Sequence, residues 1–163
     1  MELNSKPLFI YITMNIAIPI EKYKYNKYLF LEPIENTIIK DSIFHRIILS
    51  NDLICMNNIN IKIDLSNVVI EKYYNKYKCT IDIMSEYTKN IIDVERSILD
   101  SINIDYKTKK LNINEQLNTG SIRLFSNTDL HNKLYNKFSI ILKISGIWET
   151  HEEYGITFKF YTL

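Results

Sequence analysis

Between positions 44 and 84 the chain alternates apolar and polar residues in short bursts, and no other feature restricts the fold as much. In NINIKID (58–64), Ile59, Ile61 and Ile63 alternate with Asn60, Lys62 and Asp64. That period places the isoleucines on one side of an extended chain and the polar residues on the other. FHRIILS (44–50), DLICM (52–56), NVVIEKYY (67–74) and KCTIDIM (78–84) repeat the theme. Five such segments in 41 residues predict a meander or a small barrel.

Turn residues support this division. Pro7, Pro19 and Pro33 all fall in the first fifth of the chain, and Gly120, Gly146 and Gly155 in the last third. The turns between the β segments therefore fall to Asn, Asp and Ser, which tolerate left-handed backbone and bond their own main chain. Asn51–Asp52, Asn57–Asn58 and Ser66–Asn67 are the expected places. Nearer the N-terminus, PLFIYITMNIAIPI is interrupted by Thr13, Asn15 and Pro19. It reads as a strand, with Ile10, Ile12, Ile16 and Ile18 on one side, and not as a signal or membrane-spanning segment.

One segment breaks the rhythm. In SEYTKNIIDVERSILDSIN, Tyr87, Ile91, Val94, Ile98 and Ile102 recur every three or four residues, and Ile92 and Leu99 widen the stripe. This predicts one amphipathic helix near 85–103, with Ser85 as N-cap and with Lys89, Glu95 and Arg96 solvated. LNINE (111–115) and SIRLF (121–125) are read as further strands. No composition shift marks a boundary, so the 163 residues are expected to form a single domain, a β-rich α+β unit built as a small barrel or sandwich.

FSIILKISGIWETHEEYGITFKFYTL closes the chain as a hairpin: a strand near 138–148, a charged tip ETHEE, and a return strand near 154–161. Ile140, Leu142 and Ile144 share one face of the outgoing strand; Ile156, Phe158 and Phe160 share one face of the return. The opposite faces carry Lys143 on one strand and Lys159 and Tyr161 on the other, with Gly146 marking a bulge and Trp148 flanking the groove. The segment Ile144–Phe160, SGIWE followed by YGITFKF, resembles the closing strands of single-stranded-DNA-binding proteins from nucleocytoplasmic large DNA viruses. That group is of a phage type with an oligonucleotide-binding β-barrel (OB-fold), and the resemblance implies a role in viral DNA replication. Such proteins usually end in an acidic tail that recruits replication partners. This chain ends Phe160–Tyr161–Thr162–Leu163, which puts that recruiting function in doubt.

Lysine and tyrosine cluster at EKYKYNKY (21–28), EKYYNKYK (71–78) and, more faintly, NKLYNKF (132–138). Lysine neutralises phosphate and tyrosine offers a stacking face, although Lys, Asn, Ile and Tyr are also among the residues that A/T-only codons supply. With 20 basic against 19 acidic residues, any anion-binding face must be a local patch. The expected nucleic-acid-binding residues are Lys143, Trp148, Lys159, Tyr161 and Arg123, with Tyr74, Lys76 and Tyr77 from the second cluster. The expected partner is single-stranded nucleic acid, DNA before RNA, bound without marked sequence preference. The alternative is a viral β-sandwich that pairs with a protein partner or forms a homodimer through exposed strands.

Catalysis is not expected. There is no Gly-rich phosphate loop, no nucleophile motif, and the carboxylates Glu149, Glu152 and Glu153 beside His151 read as a solvated hairpin tip. Cys55 and Cys79 form no CxxC pair, and His45, His131 and His151 stand singly, so neither cofactor nor metal is expected. A reducing compartment, cytoplasmic or nuclear, fits two free thiols.

Overall fold

The alternation in 44–84 folds as strands among the described residues, but two of the expected segments, NINIKID and NVVIEKYY, run on as one long strand. The computed structural model describes residues 16–24, 27–50 and 55–163. The expected strand positions Ile10 and Ile12, the Asn51–Asp52 turn, and Tyr25–Asn26 of the first Lys/Tyr cluster lie outside the described residues. Described elements are β1 (Ile18–Pro19), a 3-10 turn (Ile20–Lys22), β2 (Lys27–Phe30), β3 (Ile34–Glu35), β4 (Ile43–Ser50), β5 (Cys55–Asn57) and β6 (Ile59–Tyr73). They continue with β7 (Lys76–Thr80), α1 (Glu86–Ser101), β8 (Thr108–Lys110), α2 (Asn112–Asn118), β9 (Ser121–Phe125), β10 (Lys133–Glu149) and β11 (Glu153–Thr162). The strands form one large mixed sheet of 11 strands with two helices, an α+β arrangement rich in β-structure.

Five of the strands pair in a cycle. β6 pairs with β7, β7 with β9, β9 with β11, β11 with β10, and β10 returns to β6; only β9–β11 in this cycle is parallel. The buried side chains lie where period two puts them: Ile59, Ile61 and Ile63 on β6, Cys79 on β7, Ile122 and Leu124 on β9, Ile140, Leu142 and Ile144 on β10, Ile156 and Phe160 on β11. These join the helix stripe (Ile91, Val94, Ile98, Leu99) in one hydrophobic cluster.

Ser66–Asn67 was expected to be a turn; it lies inside β6 instead. Asn67 takes φ +53, and the buried set shifts from Ile61, Ile63 and Leu65 to Val68 and Ile70 across it. β10 pairs alongside both halves, from Lys133↔Ile70 to Ile144↔Ile59, and this long-range pairing overrides the local turn signal. Asn58, by contrast, turns as expected, with φ +68 between β5 and β6.

Helix α1 matches its periodicity, and the Ser85 hydroxyl accepts the Thr88 N–H as an N-cap does. Glu95, however, is fully buried, not solvated. Its Oε1 accepts the Ile113 N–H and its Oε2 the Asn114 N–H, both at 2.8 Å. Those are orphan donors in the first turn of α2, whose own N-cap position, Leu111, supplies no side-chain acceptor. The expected strand LNINE is therefore a short helix, held in place by the Glu95 carboxyl group from α1. Burial pushes the Glu95 carboxyl above its ordinary value, against the pull of the two peptide donors.

The last hairpin forms as expected, with its outgoing strand extended back to Lys133. Its register shifts between Ile144 and Gly146, the predicted bulge. At this bulge β10 changes neighbours, from β6 (ending at Ile144↔Ile59) to β4 (beginning at Gly146↔Arg46). The tip is only partly solvated: Glu149 is held by His45 Nε2 at 2.6 Å and Lys107 Nζ at 2.5 Å, while His151 is exposed. Burial alone would raise the Glu149 carboxyl, but the hydrogen bonds from Lys107 and His45 prevail and hold it below the usual value.

Candidate nucleic-acid interface

The outward face of the cycle is built by the same alternation that fills the core. Lys78 pairs opposite Arg123, and Tyr77 opposite Leu124. Period two then turns Lys76, Lys78, Arg123 and Phe125 outward while Cys79, Ile122 and Leu124 are buried. β11 continues the face, with Tyr161 opposite Phe125. β10 completes it with Lys143 opposite Lys159; beside them Ile141, opposite the half-buried Tyr161, is itself buried. The result is a strip across β7, β9, β11 and β10, three strand spacings or about 14 Å wide.

Its charges are uncompensated. Lys62, Lys72, Lys107, Lys109 and Lys110 each pair with a carboxylate elsewhere. Lys76, Lys78, Arg123, Lys143 and Lys159 form no ion pair among the described residues; Glu71 lies opposite Lys78 in register but makes no salt bridge with it. Lys143 and Lys159 are like charges directly opposite on antiparallel strands, an arrangement that destabilises a sheet unless an anion intervenes. Lys76 and Lys159 approach the same aromatic ring, their Nζ atoms 5.0 and 5.4 Å from the centre of Phe125.

At the β7–β9 side the strip opens into a cleft of about 440 Å³ lined by Tyr73, Lys76, Lys78, Gln116, Thr119 and Arg123, with neighbouring residues. The β6–β7 hairpin overhangs it. Its two-residue loop begins with Tyr74 at φ +54, a conformation that costs a bulky L-residue roughly 1–2 kcal/mol. Tyr74 is 84% exposed and meets Tyr73, 62% exposed, edge to face at 4.8 Å between ring centres. Two large exposed rings on a strained tip serve no packing purpose. Tyr74→Asn, which tolerates this backbone, is expected to raise stability by roughly 0.5–1 kcal/mol, measurable as a higher thermal midpoint.

Of the residues expected from the sequence, Lys76, Arg123, Lys143 and Lys159 come together on the strip, and Tyr74 stands at its rim. Tyr161 is half-buried: its hydroxyl, raised in pKa by burial, donates to Asn60 Oδ1 at 3.4 Å, so the ring lies across β10 towards β6. Tyr77 is not a stacking face. It is 5% exposed, its hydroxyl donating to Asp129 at 2.8 Å and accepting the Leu130 N–H at 3.1 Å, which anchors the β9–β10 connection.

Trp148 does not join the strip either. The bulge brings it to the Lys143 side of the ribbon, since in an unbroken strand residues 143 and 148 face opposite ways. But it pairs with Gly155, four residues or about 13 Å along β11 from Lys159, and is half-buried. A Cβ on Gly155 would lie 2.8 Å from the indole Cζ2, so the ring is seated on that glycine.

Sequence reasoning missed Lys78, Tyr73, Phe125 and Gln116. Lys78 carried a usable signal, because it alternates with Lys76 on one face of KYKC; the other three depend on pairings distant in sequence. In the first cluster Tyr23 and Tyr28 are packed against the core, their hydroxyls bonded to each other at 2.8 Å. Cys79 is buried, its thiol pushed up to about 12, and Cys55 is exposed; both are free. Among the described residues no group of His, Cys, Asp or Glu has the makings of a metal site, and no helix is long and apolar enough to cross a membrane. Compared with protein-family models, with curated proteins and with solved structures, the chain matches none.

Proposed function

We propose that this protein binds single-stranded nucleic acid, DNA before RNA, by backbone electrostatics and aromatic stacking across the β7–β9–β11–β10 strip. The observation that carries the reading is the set of five unpaired cations interleaved with Phe125, Tyr73 and Tyr74 on one face. Single-strand binders combine these two elements, a cationic track and stacking platforms, each stacked base contributing about 1–3 kcal/mol. The fold supports the same conclusion. Numbered in chain order, the cycle β6, β7, β9, β10, β11 pairs as 1-2-3-5-4-1, which we read as a small Greek-key barrel of the oligonucleotide-binding type. In that architecture the face of strands 2 and 3 and the loop joining strands 1 and 2 take the oligonucleotide. Here these are β7, β9 and the Tyr74–Asn75 tip. On this reading the likeness of SGIWE and YGITFKF to viral single-stranded-DNA-binding proteins reflects a shared barrel, with no cofactor or catalysis involved.

Fluorescence anisotropy with a labelled single strand tests the proposal. Five phosphate contacts give a logarithmic salt slope of about −3.5, so affinity should fall about a hundredfold between roughly 50 and 200 mM salt. The double change Lys143→Ala, Lys159→Ala should flatten the slope by about 1.4, and Tyr74→Asn should weaken binding while the fold becomes firmer. Binding that ignores salt, or no binding together with concentration-dependent dimers in light scattering, would refute it in favour of a protein partner or a second copy.

A further inference from the structure

Gln116 lines the β7–β9 cleft beside Lys76, Lys78 and Arg123, and its side-chain Oε1 is buried with no hydrogen-bond partner among the described residues. An orphaned acceptor of this kind is costly and calls for a donor. A phosphate cannot serve, because its oxygens are acceptors and would oppose the carbonyl. Within a DNA strand the only N–H groups belong to the bases, and the pairing edge of every base presents at least one. Tyr73, 62% exposed on the same cleft, offers a face on which that base can lie, and the three cations stand where its flanking phosphates would run.

We infer that this cleft seats one unpaired base, the half-buried Gln116 side chain turning its enclosed carbonyl into the cleft to accept a hydrogen bond from the base's pairing edge. The inference rests on the reading of the strip as a nucleic-acid interface and sharpens it: the site takes a whole nucleotide, not the backbone alone. It accounts for preference for single strands without preference for sequence. All bases supply the donor, but in a duplex those donors are already committed.

The test compares two labelled oligomers of about ten units: one of ordinary deoxynucleotides, and one in which every base is replaced by tetrahydrofuran, leaving the phosphates unchanged. Each is titrated against the native protein and against Gln116→Leu, whose volume is similar and whose removal of an unsatisfied acceptor should leave the thermal midpoint unchanged or higher. The native protein should bind the ordinary oligomer more tightly. Gln116→Leu should lose about three- to tenfold on that oligomer, the worth of one hydrogen bond, and nothing on the abasic one. Equal loss on both, or a lowered midpoint, would make Gln116 a structural residue and overturn the inference. Equal affinity of the native protein for both oligomers would overturn it too, while leaving the electrostatic interface standing. If neither oligomer binds, the interface itself falls, and this inference with it.

Discussion

Gly146→Ala is expected to cost about 3 kcal/mol or more and to lower the thermal midpoint by roughly 6–12 °C. The new Cβ would stand 2.2 Å from the His45 carbonyl oxygen and 2.6 Å from Cζ of Phe44. The first of these is backbone and cannot swing aside, so β4 and β10 must separate at the Gly146↔Arg46 pair. Since the bulge also determines which way Trp148 faces, the variant should shift indole emission to the red before global melting. Circular dichroism melts and tryptophan emission check both parts; a variant with native midpoint and native emission would show that the close approach is not as tight as the backbone indicates.

Glu95→Ala should be comparably severe. It strips the acceptor from the Ile113 and Asn114 N–H groups at once and leaves a cavity between α1 and α2, for a loss of about 3 kcal/mol. Glu95→Gln retains one acceptor and most of the volume, so about half of that loss is expected. The pH dependence carries its own signature. Because burial raises this carboxyl in the folded state, its contribution is fully present below the carboxylate range of the unfolded chain. It declines as pH rises through the raised folded value. Both variants should therefore lose less stability than the native protein over that rise, and melts at several pH values would reveal it. Glu149 works in the opposite direction, its lowered carboxyl adding stability above the unfolded value and losing it as pH falls.

What could be read from the sequence was what neighbours within a few residues decide. Helix α1 announces itself because Ile91, Val94 and Ile98 must share a side, and the final hairpin because alternation fixes both faces of Ile140–Ile144 and Ile156–Phe160. The coincidence of Lys143 with Lys159 followed from the same alternation. Helix α2 was illegible because seven residues cannot hold a helix alone, and the group that caps it is 18 positions away. Glu95 looked solvated because it is charged and off the main apolar stripe; only the docking of α2 gives it a reason to be inside. The continuity of β6 was hidden for the same cause, since β10 bridges the kink at Asn67 from the far end of the chain. Of the interface, the cations were visible but their neighbourhood was not. The cleft exists because β7 and β9, separated by both helices and β8, lie side by side.

The change of neighbours within β10 has a mechanical corollary. A ribbon of 17 residues is stitched to β6 over its first part and to β4 over its last, with β11 along much of its length. Peeling either flank away would leave a raw edge on the backbone that the other flank needs. β10 is thus common to both flanks of the sheet, and they should come apart together, in one transition, rather than one after the other.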